Sequence, residues 1–126
     1  MRARPFLPVV CVGLLLLSRM PAFAHHAFDA DFDEKDRITL EGTLTKIEWM
    51  NPHGWIYVDV KGPDGRVTNW AIETGAPAVL VRRGLRKDDF RVGMEIIVDG
   101  YRARKKAATA AGRVVRLPDG TELFLR

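Results

Sequence analysis

The chain has 126 residues, 47% hydrophobic and 29% charged, with 20 basic and 16 acidic side chains and a single cysteine. That length supplies one core and no more, and a lone cysteine excludes a disulfide framework. The formal charge of +4 suggests nucleic-acid or membrane attraction, but three of the basic residues sit in a segment expected to be removed.

That segment is residues 1–24. Arg2 and Arg4 form a positive head, Phe6 to Leu17 an apolar run, and Pro21-Ala22-Phe23-Ala24 a small-x-small ending, in the order of a cleaved secretory leader. The run is shorter than the roughly 20 residues that span a bilayer, so no transmembrane segment is expected once the leader is gone. Cys11, preceded by Val10 and followed by apolar residues, does not form a lipidation box. Without Arg2, Arg4 and Arg19 the chain carries 17 basic against 16 acidic residues, a net charge of +1. A global argument for nucleic acid loses its force, and the expectation is a periplasmic or secreted monomer.

An acidic arm, residues 25–36, is expected next, ahead of one domain over 37–126. Asp29, Asp31 and Asp33 match the opening of a calcium loop, but Glu34 stands where glycine is required and Leu40 where a bidentate glutamate is required, so that loop is excluded. From His25 to Val60 there are 8 acidic and 3 basic residues, and from Lys61 to Arg126 there are 14 basic and 8 acidic. Intramolecular attraction between the halves is the expected use of that asymmetry.

Arg37 to Trp49 alternates with Ile38, Leu40 and Leu44 on one face, then changes parity at Ile47 and Trp49, which predicts a bulge in a long bent strand. Asn51-Pro52-His53-Gly54 is a turn; Trp55 to Lys61 and Val67 to Glu73 flank the hairpin turn Gly62-Pro63-Asp64-Gly65. Pro77 opens a short helix that Gly84 stops. Met94 to Arg104 and Arg113 to Leu117 follow as strands separated by a small, polar loop at Lys105 to Ala111, and Pro118-Asp119-Gly120 turns into Glu122 to Leu125. Three strands, a helix, then two strands is the order of an all-β, OB-like Greek-key barrel with one short helix. The surplus terminal hairpin leaves an open β-sandwich or roll as the alternative.

His25-His26 after the leader, Phe32-Asp33, Gly42-Thr43-Leu44, Trp49-x-Asn51-Pro52-His53, Trp70-x-x-Glu73 and Pro118-Asp119-Gly120 together resemble a widespread family of small exported bacterial proteins of unknown function. The resemblance spans essentially the whole chain after the leader. It implies export and a single domain, without a chemistry.

The chemistry must therefore come from the residues. His25, His26 and His53 are the three histidines. Cleavage after Ala24 would give His25 a free α-amine beside its imidazole, with His26 and its backbone amide adding further nitrogens, a donor set suited to the tetragonal geometry of Cu(II). His53 joins the set if the arm folds back. Trp49 and Trp55 flank the His53 turn, with Met50, Asn51 and Pro52 between them, and offer a surface for a partner protein or a glycan of the cell envelope. Arg102, Arg104, Lys105 and Lys106 are expected to be a solvated strand end. No serine follows Ser18 and no cysteine follows Cys11, so the usual nucleophile triads are absent and no catalytic residue is assigned. The expectation is a noncatalytic binding or accessory protein, with copper as its ligand or, alternatively, a partner on the Trp49–Trp55 loop.

Overall fold

The computed structural model describes residues 27–126; the expected leader, His25 and His26 lie outside the described residues. After a helical turn over 27–31 come strands β1 (Phe32–Glu48), β2 (Trp55–Lys61) and β3 (Val67–Glu73), helix α1 (Pro77–Arg82), a 3-10 turn (Lys87–Asp89), and strands β4 (Glu95–Ala103), β5 (Thr109–Arg116) and β6 (Glu122–Phe124). The sheet order is β3-β2-β1-β4-β5-β6, and a parallel pairing of β3 with β5 closes the first five strands into a ring. The architecture is thus the OB-like barrel, and the closing pair is what rules out the open sandwich.

β1 serves both halves of the ring. Its first part pairs with β4, from Phe32↔Ala103 to Thr43↔Glu95, and its last part pairs with β2, from Thr43↔Asp59 to Glu48↔Trp55. The register slips between Leu44 and Lys46, where the sequence changes parity, because one extra residue lets Leu44 and Ile47 both turn toward the apolar side. Leu40, Leu44, Ile56, Val58, Ile72, Ile96, Val98 and Val115 fill the interior. In α1 the fixed φ of Pro77 suits the first turn, and Leu80, fully buried, is the side chain the helix contributes to the core. Arg86 N–H donates to the Asp89 carboxylate at 2.7 Å, capping the 3-10 turn.

Two boundaries differ from the sequence expectation. β1 begins at Phe32, within the acidic arm, because Phe32 is buried against Ala103 and Ala111 and stacks with Phe28 at 5.2 Å. The arm is also tied electrostatically: Asp33 pairs with Arg104 at 3.3 Å and Asp36 with Arg102 at 3.1 Å, so part of the charge asymmetry along the sequence is met inside the molecule. β5 begins at Thr109, within the expected loop. Ala71, Ile72 and Glu73 of β3 pair there with Thr109, Ala110 and Ala111. Small residues are required on that side of the barrel, since a Cβ at Gly112 would stand 2.6 Å from Leu125 and 2.9 Å from Ile72. Among the described residues, no helix is long and apolar enough to cross a membrane.

Candidate functional site

The β1–β2 turn, the ends of β3 and β4 and the start of β5 meet at one end of the barrel. Gly54 anchors that turn: its N–H donates to Gly75 O at 3.2 Å, and its carbonyl accepts from Thr74 N–H at 2.8 Å. A Cβ at Gly54 would lie 2.7 Å from Thr74 Oγ1, so only glycine lets the turn approach the chain leaving β3 this closely. The adjacent His53 is thereby fixed over the last residue of β3. Its Nδ1 lies 3.0 Å from Glu73 Oε1, and because a carboxylate only accepts, Nδ1 is the donor to it and Nε2 is left for another partner.

Glu73 is buried, and Arg126 meets the same carboxylate oxygen that His53 does. Arg126 donates to Glu73 Oε1 and Glu73 O at 3.3 and 3.2 Å, and to Gly112 O at 2.9 Å. Gly75 N–H, donating to Leu125 O, brings the segment carrying Arg126 to this position. Burial pulls the Arg126 guanidinium below its ordinary pKa, and Glu73 opposes that pull. The ring of Phe28 lies 4.9 Å from the same guanidinium. Ala27, Phe28, Asp31, Phe32, His53, Glu73 and Arg126 thus enclose a cleft of about 310 Å³. A neighbouring hollow of about 160 Å³ shares Asp31, Phe32 and Glu73, and has Trp55, Lys105 and Lys106 on its far wall.

The structure separates the residues proposed from sequence. His53 is on the cleft and half-exposed. Met50, Asn51 and Pro52 are exposed on the outer side of the turn, where the Asn51-Pro52 peptide is cis. Trp49 is half-buried against the core, and Trp55 faces the neighbouring hollow, so the two indoles do not form one flat platform. Trp70 lies under Arg102 at 5.2 Å. His25 and His26 lie outside the described residues, but the described chain enters at Ala27, on the His53 cleft. Of the basic run, Arg104 is occupied by the arm, donating to Asp29 O and Phe32 O at 2.8 and 3.1 Å, whereas Lys105 and Lys106 are exposed.

Glu73, Arg126 and Asp31 were not assigned to the site from sequence. The Val67 to Glu73 strand places Glu73 at a strand end, but Arg126 comes from 53 residues further along and has no local signal. Among the described residues, no three histidine, aspartate or glutamate side chains converge closely enough to hold a metal ion by themselves.

On the outer surface of β1 and β2, Tyr57 Oη donates to Glu48 Oε2 at 3.0 Å and Lys46 Nζ pairs with Glu48 Oε1. Hydrogen bonds from Lys46 and then Tyr57 hold the Glu48 carboxyl below its ordinary pKa, while burial and then Glu48 raise that of Tyr57. The Tyr57–Glu48 bond links β2 to β1 just before the turn.

A family model matches residues 13–112, and its description is a family of unknown function (DUF6152). Neither the curated proteins nor the solved structures provide a match.

Proposed function

The chain belongs to the DUF6152 family of unknown function, and from its own residues we propose an exported, noncatalytic accessory protein that binds Cu(II) between its processed amino terminus and His53. The observation that carries this reading is the His53–Glu73 pair beside the Ala27 rim. An imidazole that donates one ring N–H to a carboxylate is held in a single tautomer with its other nitrogen directed at a metal, which is how ligating histidines are usually supported. Ala27 is the residue after His26, and consecutive Cα atoms are about 3.8 Å apart, so the arm enters at the cleft that His53 lines.

The α-amine and imidazole of His25, a nitrogen of His26 and Nε2 of His53 make a four-nitrogen set, the number and type that tetragonal Cu(II) favours. Glu73 orients His53, and Arg126 holds that carboxylate in place. The ligands bind unprotonated, so affinity falls as the solution is acidified through the ordinary imidazole range near pH 6.5.

The test is a copper titration, followed by electron paramagnetic resonance, of protein recovered after export with its first residue verified by mass spectrometry. Nitrogen hyperfine coupling is expected in the wild type. His53→Ala should alter it, and Glu73→Gln should weaken binding by about tenfold, the lower end of what supporting partners contribute. Equal affinity in the wild type and in a His25→Ala/His26→Ala double variant would remove the copper reading. A second reading, capture of an envelope protein or glycan by the Trp49–Trp55 turn, is favoured by the outward exposure of Met50, Asn51 and Pro52 beside Trp55. It predicts that an oligosaccharide changes Trp55 emission and that Asn51→Ala abolishes the change.

A further inference from the structure

The connection from β3 to β4, residues 74–94, is pinned to the barrel by three evenly spaced side chains. Leu80, Leu85 and Phe90 are buried in the core, so the residues between them face away from it. Those residues are mostly basic: Arg82, Arg83, Arg86, Lys87 and Arg91 are all exposed. We infer that this connection is a docking surface for a membrane rich in acidic phospholipids.

Positive charge is concentrated there. The connection carries five basic and two acidic side chains, Asp88 and Asp89, whereas the rest of the described chain carries 12 basic and 14 acidic. Arg83 already donates to Arg126 O, and without it the connection still holds four basic against two acidic. Among the described residues Arg66, Arg102, Arg104, Arg116 and Arg126 each pair with a carboxylate, but Arg82, Arg86, Lys87 and Arg91 make no ion pair. Asp89 is engaged by its own turn, through the Arg86 N–H. The net negative remainder is repelled by an acidic surface that attracts the connection, so approach is oriented.

Two aliphatic side chains favour a bilayer over a soluble polyanion. Val81, 52% exposed, precedes Arg82, and Val92, 66% exposed, follows Arg91, so an apolar group stands beside a cation near each end of the connection. A soluble polyanion would take the charges and leave both valines in water. A bilayer takes both kinds of group: headgroup phosphates meet the cations while apolar side chains and the stems of arginine enter the boundary with the acyl chains. Each basic side chain close to an acidic bilayer raises its partitioning about fivefold, so four such residues are enough for reversible attachment without an anchor.

The test is co-sedimentation with vesicles of protein recovered after export, with a chelator present so that failure of the copper reading has no bearing on the outcome. Binding is expected to equimolar phosphatidylglycerol and phosphatidylcholine but not to phosphatidylcholine alone. It should be lost at about 1 M salt, where the screening length falls to about 3 Å. Arg86→Gln/Lys87→Gln should weaken partitioning about 25-fold. Lys105→Gln/Lys106→Gln removes the same charge from the hollow beside Trp55 and should bind vesicles as the wild type does. Val81→Ser/Val92→Ser should weaken vesicle binding several-fold while leaving any retention on soluble polyphosphate unchanged. All six positions are exposed, and an unchanged thermal midpoint checks that each variant folds. No sedimentation with acidic vesicles, equal sedimentation with phosphatidylcholine alone, or equal losses in the two charge variants would overturn the inference. Unaltered vesicle binding in the valine variant would overturn it too, by assigning the basic residues to a soluble polyanion.

Discussion

Replacing Gly54 by alanine is the sharpest perturbation of the turn that holds His53. The added methyl would stand 2.7 Å from Thr74 Oγ1 and 3.2 Å from Glu48 O, against ordinary contact that begins near 3.4 Å. Neither neighbour yields easily. Thr74 is only 2% exposed and its hydroxyl donates to Gly75 O at 3.0 Å, while the other contact is backbone. Separating the chains would stretch both Gly54 hydrogen bonds, so the cost should reach the range of forced overpacking, about 1–3 kcal/mol. Urea denaturation should show a lower midpoint with an unchanged slope. A companion Thr74→Ala substitution removes the oxygen that the methyl strikes, at about 1 kcal/mol for its own hydrogen bond. In that background Gly54→Ala should cost at least about 1 kcal/mol less than it does alone, a coupling that a double-mutant cycle reads directly. A loss below about 0.5 kcal/mol, the level of an ordinary surface change, or an equal loss in both backgrounds, would refute the reasoning.

The Gly62–Gly65 hairpin turn is exposed and held by short-range bonds, with Gly62 N–H donating to Arg66 O and Gly65 N–H to Gly62 O. A two-residue glycine insertion there should shift the thermal midpoint less than the same insertion between Asn51 and Gly54. The Glu48 carboxyl has a folded pKa below its unfolded value, so its contribution is present above the ordinary carboxylate range and is lost as pH falls through the depressed folded value. Denaturation of wild type and Glu48→Gln should therefore differ at pH 7 and converge toward pH 3. A constant difference across that interval would assign the effect to packing.

The barrel was legible because its interior alternates cleanly. Ile56 and Val58 on β2, and Ile96 and Val98 on β4, announce strands by period, and the parity change after Leu44 marks the bulge. The start of β5 was not legible. Ala107, Ala110, Ala111 and Gly112 have the composition of a loop, yet two alanines and a glycine are what a tight barrel wall needs beside Ile72 and Leu125. The start of β1 was hidden for a related reason: four charged residues, Asp33 to Asp36, follow Phe32, and their partners Arg102 and Arg104 lie far away in sequence. At the site, His53 was visible through its scarcity. Its role depends on Glu73 and Arg126, and no periodicity links a turn, a strand end and residue 126.

The pairing that shuts the ring is also its shortest ladder, three residue pairs joining strands separated by some three dozen residues of chain. Glu73 is the last β3 residue of that ladder. The β2–β3 hairpin can set His53 beside Glu73 early, since the two strands are neighbours in sequence, but Arg126 reaches the carboxylate only when β5 is seated and the terminal segment crosses to Gly75. Contacts between distant parts of a chain form late because loop closure must be met first. The complete trio is thus a mark of a finished molecule: a partly folded chain displays an imidazole beside a carboxylate on a hairpin, and only the closed ring adds the guanidinium that holds that carboxylate.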